Sequence, residues 1–378
     1  MESKKVRILH VAQAAGGVDR YLRMLLKYLD KDRFENIVVV SQDFKKTDYD
    51  GLASYFEQVE MSRAIGGNDI KAIREVRKLI KHYNPDIVYA HSSKAGAIAR
   101  VADMGLKNHC IYNPHGWAFN MRCSEKKRKM YTAIEKIAAP FCNKIICISD
   151  AEKQSALDKK ICREDKLQVI YNGVDIEAYE NGLQGEIQRK DLGIPDDAFV
   201  VGMVGRISPQ KAPDIFVKAA KSIKNAIPNA HFIIVGNGEQ ETEIRKYAEE
   251  NGFSDSLHIT GWVDNPIDYV ELFDVACLLS RWEGFGLAIP EYMLAGKPIV
   301  ASNVDAIPFI VSNRKNGLLV PCDDYRAASD AVLEIKNNEK LRNEIVNQGL
   351  SDVRNRFDAR RVVKQHEELF CREVGCIL

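Results

Sequence analysis

The sequence predicts an α/β protein made of two doubly wound domains joined in series. Short apolar runs rich in β-branched residues recur along the chain, as expected for the central strands of parallel sheets. Amphipathic stretches separate these runs, which gives a β-α-β rhythm with right-handed crossovers. The rhythm restarts after a polar, glycine-containing segment at about 172–193, and a chain of 378 residues is long enough for two domains.

In the first half, apolar runs predict strands at 6–11, 37–40, 86–90, 110–112 and 144–148. The stretch 69–83 predicts a helix, because its apolar residues repeat at helical spacing. The residues assigned to its buried face are Ile70, Ile73, Val76 and Ile80. Asn84-Pro85 predicts the end of this helix, since proline does not continue it.

In the second half, strands are predicted at 199–204, 231–235, 275–279 and 298–301. Parallel strands of a doubly wound sheet end at one edge, and ligands bind at that edge. Two such domains in series would face each other across a cleft, so we expect the ligand site there.

The composition is that of an ordinary globular protein, with 46% hydrophobic and 28% charged residues. No apolar run approaches the ~20 residues that span a bilayer, and the N-terminal apolar stretch is too short for a signal peptide. We therefore expect a cytoplasmic protein. The nine cysteines are scattered without a C-x-x-C pair, which favours free thiols over a zinc site or a disulfide framework.

Charge is distributed unevenly between the two halves. Residues 1–180 contain 31 lysines and arginines against 24 acidic residues, whereas residues 181–378 contain 23 against 29. A basic half predicts contact with an anionic partner. Within it, the segment 121–131 has five cations, followed by apolar residues. We interpret this segment as a peripheral contact with an anionic membrane surface, and a solvated helix face is the alternative.

The strongest local signal is the segment 280–291, with the sequence SRWEGFGLAIPE. It follows a predicted strand, bends at two glycines and enters a helix, with Glu283 in the loop and Glu291 about one turn into the helix. Glycines allow a ligand close to the backbone, N–H groups at a helix start favour phosphate, and carboxylates accept bonds from sugar hydroxyls. The segment could hold both ends of a nucleotide sugar, and a surface turn with two solvated glutamates is the alternative.

A second signal, Gly205 to Lys211, follows the first strand of the second half. Arg206 and Lys211 lie five residues apart at the carboxyl edge of a strand, so they can converge on one anion. The planar fork of arginine and the point charge of lysine both suit a diphosphate. Such cations would stabilise negative charge that grows there in a transition state. A basic surface loop is the alternative.

Two glycine turns and one histidine complete the candidates. The turns at 15–18 and 235–238 follow strands but lack the full G-x-G-x-x-G motif, and plain tight turns are equally consistent with both. His115 lies between a proline and a glycine after a short strand, so we expect it to face the cleft, although a lone histidine is often structural. The acidic triplets at 30–32 and 48–50 do not directly follow strands, so we predict no metal site.

Together these motifs resemble glycosyltransferase family 4, which has the GT-B architecture of two Rossmann-like domains. The match runs from the Gly16-Gly17 turn to about Pro321, with the family's EX7E glutamate pair, Gly-Arg…Lys loop and His-Gly turn in the family's order. The resemblance implies a retaining, metal-independent hexosyltransferase that needs no cofactor. It also implies an acceptor domain at 1–180, a donor domain at 181–355, and a last segment at 356–378 whose helix, at about 356–373, crosses back onto the first domain.

The resemblance implies a role for each candidate. Arg206 and Lys211 would clamp the donor diphosphate, Glu291 would bind the ribose, and His115 would lie near the transferred sugar. Glu283 and the backbone of Phe285, Gly286 and Leu287 would hold the sugar hydroxyls and phosphate. Val263 would lie on the nucleobase side, and Gly16 and Gly17 would pack close to the phosphates or the acceptor. The predicted catalytic residues are Glu283, His115, Arg206 and Lys211, and the predicted acceptor-binding residues are Gly17 and His115.

The implied function is transfer of a hexose from a nucleotide-diphosphate sugar, with a UDP-sugar as first candidate, to a hydroxyl of a saccharide acceptor. Resemblance to bacterial enzymes of surface-polysaccharide assembly suggests a lipid-linked acceptor at the inner face of the plasma membrane. No nucleic-acid partner is predicted. The alternatives are a sugar-nucleotide epimerase of the same architecture and a non-catalytic nucleotide-sugar binding protein.

Two positions depart from the family pattern. The phosphate loop reads Lys211-Ala212-Pro213, where the family often has Lys-Gly or Lys-Asn. Within 303–309, Asp305, Ala306 and Phe309 stand where the family commonly has two glycines and a glutamate. The second loop is expected near the donor site, so this departure bears on the choice of donor and not on the fold.

Overall fold

The computed structural model of the chain describes residues 4–62, 68–182 and 187–376. They form two compact units, one made of Met1–Gly173 with Ala359–Leu378 and the other of Val174–Asp358. The chain therefore changes unit at 173–174 and at 358–359, whereas the sequence placed these changes near 180 and 355. Residues 183–186 of the predicted linker, 1–3 and 63–67 of the first predicted domain and 377–378 of the last segment lie outside the described residues.

The first unit is built on a seven-stranded parallel sheet. Its strands are β1 (Val6–Ala12), β2 (Phe34–Val40), β3 (Tyr55–Gln58), β4 (Ile87–His91), β5 (His109–Asn113), β6 (Lys144–Cys147) and β7 (Leu167–Val169). Its helices from the N-terminal segment are α1 (Gly17–Tyr28), α2 (Asn68–Tyr83), α3 (Ser93–Asp103), α4 (Glu125–Ala138) and α5 (Asp150–Asp158). The strand order is β3-β2-β1-β4-β5-β6-β7, so the direction of winding reverses between β1 and β4.

The second unit is built on a six-stranded parallel sheet. Its strands are β8 (Phe199–Val204), β9 (Ala230–Val235), β10 (Leu257–Ile259), β11 (Val275–Leu278), β12 (Ile299–Ser302) and β13 (Leu318–Val320). Its helices are α6 (Ile176–Gly182), α7 (Pro213–Ala226), α8 (Glu241–Glu250), α9 (Ile267–Val270), α10 (Ala288–Leu294), α11 (Ile307–Ile310), α12 (Tyr325–Asn337) and α13 (Glu339–Arg356). The order β10-β9-β8-β11-β12-β13 reverses between β8 and β11.

The last helix, α14 (Ala359–Val374), belongs to the first unit. It begins three residues after the approximate start at 356 that the resemblance implied. Helix α13 runs to Arg356, and its C-cap Phe357 has a non-helical backbone, so the chain leaves one helix before the next begins.

All nine predicted strands are present, and the four that the sequence did not reveal are β3, β7, β10 and β13. These four are the outermost strands of the two sheets. An edge strand has one neighbour instead of two, so it needs less continuous apolar sequence.

Helix α2 is present as predicted, but its buried face is different. The buried residues are Ala72, Val76, Ile80 and Tyr83, and Ile70 is 57% exposed. A helix turns about 100° per residue, so Ile70, two residues before Ala72, lies on nearly the opposite side. Ile70 therefore lies at the exposed border of the apolar face that the sequence indicated.

The first unit buries an ion pair between α3 and α4. Arg100 and Glu135 are 0% and 3% exposed, and Arg100 Nη2 donates to Glu135 Oε2 at 3.0 Å. The Tyr112 hydroxyl donates to the other carboxylate oxygen at 2.9 Å. Because neither charge reaches water, removing one partner leaves the other uncompensated.

Glu135→Gln should destabilise the first unit by about 3 kcal/mol, because Arg100 would stay buried without its counter-charge. Glu125→Gln on the same helix is the matched control. Glu125 is exposed and 2.8 Å from Lys129, so its loss should cost less than ~1 kcal/mol. Urea unfolding followed by the fluorescence of Trp117, in a Trp262→Phe/Trp282→Phe background, measures both variants. Equal losses would contradict the buried-pair account.

Candidate functional site

The candidate site of the second unit lies where the strand order reverses. Strands β8 and β11 are parallel neighbours, so the loops that follow them leave the sheet at the same edge. The backbone N–H of Arg281 donates to the Gln210 carbonyl at 2.8 Å. The Gln210 side chain donates to the Trp282 carbonyl at 3.1 Å. The two strongest sequence motifs, at 205–211 and 280–291, are therefore in direct contact.

Lys211 and Glu283 form an ion pair across these two loops. Their side chains are 19% and 7% exposed, so the pair is screened less by water and salt than a surface pair. Ser280 Oγ donates to Glu283 Oε1 at 3.1 Å, and Asp305 Oδ2 accepts from the backbone N–H of Glu283 at 3.0 Å. Glu283 is thus held at both its carboxylate and its backbone.

Arg281 links the loops at 205–211 and 280–287 through hydrogen bonds of its side chain. The sequence did not indicate this role. Its guanidinium donates to Asp214 at 2.7 Å, to Asp323 at 2.5 Å and to the Pro209 carbonyl at 2.9 Å. The two carboxylates lie 67 and 42 residues away in the chain. No local pattern distinguishes such an arginine from a surface one.

Arg206 does not join Lys211 in this ion pair. Its side chain is 67% exposed, and its Nε lies 3.5 Å from Glu239 Oε2. Within the loop, Lys211 is thus the shielded cation and Arg206 the exposed one. Their shared role at the diphosphate stays a prediction.

The turn at 235–238 supports the loop that carries these cations. A side chain at Gly236 would collide with the Gly205 carbonyl, and one at Gly238 with the Ile207 carbonyl. The backbone N–H of Ile207 donates to the Asn237 carbonyl at 2.8 Å. These glycines are needed for close backbone packing, which agrees with the plain-turn interpretation.

The other predicted donor-binding residues of this unit lie around the same loop. Glu291 is buried in the first turn of α10, as the sequence indicated. Phe285 is buried, and Gly286 has φ +85°, a left-handed conformation that favours glycine. Leu287 is the half-buried N-cap of α10, and Val263 is half-buried in the turn after β10.

Each departure from the family pattern includes one residue at a left-handed backbone position. Ala212 has φ +49° and Asp305 has φ +43°, a region that glycine and asparagine occupy most easily. Both residues therefore hold a backbone conformation to which their types are less suited than glycine. At Asp305 the side chain adds the hydrogen bond to the Glu283 backbone.

In the first unit, the candidate residues follow β1 and β5. Gly16 has φ +96° and is the N-cap of α1, and Gly17 is the first residue of that helix. His115 follows β5, is half-buried and has φ +52°. Its backbone N–H donates to Asn113 Oδ1 at 2.9 Å. Strand β4 separates β1 from β5.

His115 ends a buried row of histidines that the sequence did not reveal. Its Nε2 lies 3.2 Å from His91 Nδ1, His91 Nε2 lies 3.3 Å from His10 Nδ1, and His10 Nε2 lies 3.1 Å from Asn36 Oδ1. Burial lowers the pKa of His10 to about 4, that of His115 to about 3 and that of His91 well below 6.5. Burial also lowers the pKa of nearby His366 to about 4. All four rings are neutral at neutral pH.

Glu152 of α5 supports the loop that carries His115. Its carboxylate accepts from the backbone N–H of Ile148 at 3.0 Å, and its backbone carbonyl accepts from Trp117 Nε1 at 3.0 Å. Burial raises the pKa of Glu152 to about 8, although hydrogen bonds from backbone groups, including that of Ile148, offset part of the shift.

Within residues 4–62, 68–182 and 187–376, no three histidine, cysteine or acidic side chains are grouped so as to hold a metal ion. Over the same part of the chain, every helix is too short or too polar to cross a bilayer. The nine cysteines are free thiols.

Comparison with known proteins assigns the chain to a family. The model of Glycosyltransferase Family 4 matches residues 15–178, and that of Glycosyl transferases group 1 matches residues 184–352. The chain is 30% identical over 359 residues to the UDP-Gal:alpha-D-GlcNAc-diphosphoundecaprenol alpha-1,3-galactosyltransferase of Escherichia coli, a match that covers 91% of this chain and 93% of the relative. The chain belongs to glycosyltransferase family 4. This glycosyltransferase is also 24% identical over 381 residues to the capsular polysaccharide biosynthesis glycosyltransferase CapM of Staphylococcus aureus, covering 97% of each.

Solved structures resemble the glycosyltransferase along nearly its full length. HepE of Anabaena in complex with UDP has a TM-score of 0.80 at 21% identity and covers 97% of this chain and 100% of its own. The sucrose-phosphate synthase of Thermosynechococcus elongatus has a TM-score of 0.84 at 18% identity, with coverage of 98% and 100%. At these identities the matches show the fold, and they confirm the predicted GT-B class with two Rossmann-like units.

Mild acid should destabilise the first unit. His10, His91, His115 and His366 take up protons more readily when the chain is unfolded, so the stability they confer is complete above about pH 6.5 and is lost as the pH falls towards their folded pKa values. Glu152 has the opposite effect between about pH 4.5 and 8, because over this range its carboxyl group is more protonated in the folded than in the unfolded chain. Acidification through this range therefore increases its contribution to stability. Each excess proton on the unfolded chain changes stability by about 1.4 kcal/mol per pH unit.

The urea midpoint of the first unit should therefore fall between about pH 7 and pH 5. The fall should be steeper in Glu152→Gln, because this variant removes an opposing carboxyl group. The Trp117 fluorescence assay described above measures both. A midpoint that stays constant or rises on acidification would show that the histidines are not held neutral by the fold.

Proposed function

We propose that this chain transfers a hexose from a UDP-hexose, with UDP-galactose as first candidate, to a hydroxyl of a lipid-linked saccharide in surface-polysaccharide synthesis. The observation that carries the proposal is the 30% identity to the Escherichia coli relative, whose name gives UDP-Gal as donor and GlcNAc-diphosphoundecaprenol as acceptor. The Staphylococcus aureus relative is named for capsular polysaccharide biosynthesis. Transfer is retaining and independent of metal, as the resemblance to family 4 implies.

In this proposal Lys211 binds the diphosphate of the donor, and Glu283 binds its hexose. An ammonium group has three N–H donors, so Lys211 can bind Glu283 and the diphosphate together. As the glycosidic bond breaks, negative charge grows on the departing UDP, and a fixed, partly desolvated cation stabilises that state more than the ground state. Glu283, held by Ser280 and Asp305, accepts hydroxyls of the hexose at its second carboxylate oxygen.

Glu283 and Glu291 are not assigned the double displacement by which retaining glycosidases use two carboxylates. Glu283 is already neutralised by Lys211, and Glu291 is assigned to the ribose. The acceptor hydroxyl instead attacks the face from which UDP leaves, and the donor phosphate takes its proton.

Lys211→Ala and Arg206→Ala should each lower turnover roughly ten- to a thousandfold, as does the loss of one electrostatic donor to a transition state. The loss should be larger for Lys211, because Glu283 would also lose its counter-charge. UDP release and product formation, measured with a panel of UDP-hexoses and lipid-linked GlcNAc, test this. The anomeric configuration of the product tests retention.

Lys218→Ala is the matched control, since Lys218 is a 41% exposed lysine of α7 that lies 4.0 Å from Asp214. It should retain normal turnover. EDTA should leave the wild-type rate unchanged, and loss of activity restored by manganese or magnesium would contradict metal independence. Normal turnover in folded Lys211→Ala would remove Lys211 from the mechanism, and absence of turnover with every UDP-hexose would refute the donor assignment.

The membrane contact is assigned to an exposed stripe on α4. Lys126, Met130, Ala133 and Ile137 recur at helical spacing and are all exposed, with Ile137 71% exposed. Basic and apolar side chains on one helix face suit the interface of an anionic bilayer, and each basic residue near the headgroups adds about 1 kcal/mol. Such a contact would bring the enzyme to a lipid-linked acceptor at the inner face of the plasma membrane.

Flotation with liposomes tests this contact. Binding should require anionic lipid and weaken with salt, because salt screens surface charge. The test variant changes Lys126, Lys127 and Lys129 to Gln, and the control variant changes Lys71, Lys78 and Lys81 of α2, which are also exposed. The α4 variant should lose most binding and the α2 variant little. Equal losses, or no binding at low salt, would count against the α4 surface.

A further inference from the structure

Two hydrogen-bonded rows of side chains meet at His115, and the donor chemistry proposed above uses neither of them. The histidine row runs from Asn36 through His10 and His91 to His115, with separations of 3.1, 3.3 and 3.2 Å. Each neutral imidazole has one donor nitrogen and one acceptor nitrogen. The proton positions along the row are therefore coupled, and fixing one end fixes every tautomer.

Asn36 sets the polarity of the histidine row, that is, the direction in which each ring donates its hydrogen bond. Its Oδ1 faces His10 Nε2, and an amide oxygen only accepts, so His10 carries its proton on Nε2. His10 Nδ1 then accepts from His91 Nε2, and His91 Nδ1 accepts from His115 Nε2. His115 is left with a proton on Nε2 and an unprotonated Nδ1.

A second hydrogen-bonded row, which contains His366, Tyr21 and Tyr89, lies beside the histidine row. Its direction of hydrogen-bond donation is also fixed. The Val362 carbonyl only accepts, so His366 donates to it from Nδ1 at 2.8 Å and accepts from the Tyr21 hydroxyl at Nε2, at 2.6 Å. Tyr21 in turn accepts from the Tyr89 hydroxyl at 2.9 Å. The Tyr21 ring packs edge-on against the His115 ring, with 4.6 Å between centroids.

Asn113 joins the tyrosine row to the backbone of His115. Its Nδ2 donates to the Tyr89 hydroxyl at 3.4 Å, and its Oδ1 accepts from the His115 N–H at 2.9 Å. Since a backbone N–H only donates, the orientation of this amide agrees with the polarity fixed at Val362. His115 is thus held through its ring by one row and through its backbone by the other.

We propose that the histidine row sets the tautomer of His115, so that His115 meets its ligand as a hydrogen-bond acceptor at Nδ1. Among the described residues no group hydrogen-bonds to Nδ1, and His115 is half-buried, so a ligand hydroxyl can donate to this atom. A neutral ring with an exposed lone pair has no attraction for phosphate. The inference rests on the proposed function in naming that hydroxyl as one of the hexose or the acceptor.

In this arrangement Asn36, His10 and His91 are positioning residues that act on the ligand through His115. The low pKa values produced by burial support the arrangement, because a protonated ring would donate at both nitrogens and break the row. An outer residue that fixes the tautomer of a functional histidine is worth on the order of ten- to a hundredfold in activity at metal sites. We expect an effect of similar size here.

The tautomer can be read directly from nitrogen NMR of the full chain labelled with 15N-histidine. Protonated and unprotonated ring nitrogens differ in chemical shift, and the His115 signals are identified by their loss in His115→Gln. The expected result at neutral pH is a neutral ring protonated on Nε2. A ring protonated on Nδ1, or on both nitrogens, would overturn the proposal.

Substitution of Asn36 tests the polarity of the row. Asn36→Leu removes the acceptor, so the His115 signals should shift towards a mixture of tautomers. Turnover should fall roughly ten- to a hundredfold with a smaller change in KM. Asn36→Gln keeps an uncharged amide acceptor and should restore part of the tautomer preference and of the turnover. If Asn36→Leu folds and the His115 nitrogens are unchanged, Asn36 does not set the tautomer.

Tyr112→Phe is the matched control, because it removes the buried Tyr112–Glu135 hydrogen bond from the same sheet and belongs to neither row. It should lower stability without changing the His115 signals. If Asn36→Leu does not fold, the spectrum of the wild-type protein still decides the tautomer. The spectra need no donor, so a chain that turns over no UDP-hexose would contradict the proposed function and leave this measurement valid.

Discussion

Each sheet is wound outward from two parallel strands at its centre, β1 and β4 in the first unit and β8 and β11 in the second. Because the connections run in opposite directions from this central pair, the loops at its carboxyl edge separate and leave room for a ligand. In the second unit that edge carries Lys211 and Glu283, and the ion pair between them links the two loops. The location of the candidate site thus follows from the order of the strands in the sheet.

The sequence predicted the interior of both sheets better than their edges. An interior strand is covered on both faces, so it is almost continuously apolar, as in Val200 to Met203. Strand β3 instead reads Tyr-Phe-Glu-Gln and is partly exposed along its length. Such a strand is stabilised by pairing with its one neighbour, and this contact is not visible in the local pattern.

Parts of the candidate site could be predicted because the interior strands that precede them are recognisable as apolar runs. Residues that directly follow two apolar runs must lie at the ends of strands, which was enough to single out Lys211 and Glu283. The histidine row was not predictable, because Asn36, His10, His91 and His115 lie in or after four different strands. Asn36, His10 and His91 each look like one polar residue in an apolar strand, and only His115 was singled out, from the turn that follows its strand. Only the strand order brings them into hydrogen-bonding distance.

The buried Arg100–Glu135 pair explains how α4 can carry exposed apolar and basic side chains and still keep its position. The helix is fixed from its inner side by a charge contact that is directional as well as strong. Its outer face therefore contributes little to folding, and substitutions there should change surface properties more than stability.

Asp305 gives the loop at 280–287 a further property. Its carboxylate accepts a hydrogen bond from the backbone N–H of Glu283, and the contacts of Arg281 and Lys211 tie the same loop to the rest of the second unit. A loop that is already ordered loses little conformational entropy when a ligand arrives. If the loop binds the hexose as proposed above, selection among hexoses that differ in one hydroxyl would depend on fixed geometry, and a poorly matched sugar would not be accommodated by rearrangement of the loop.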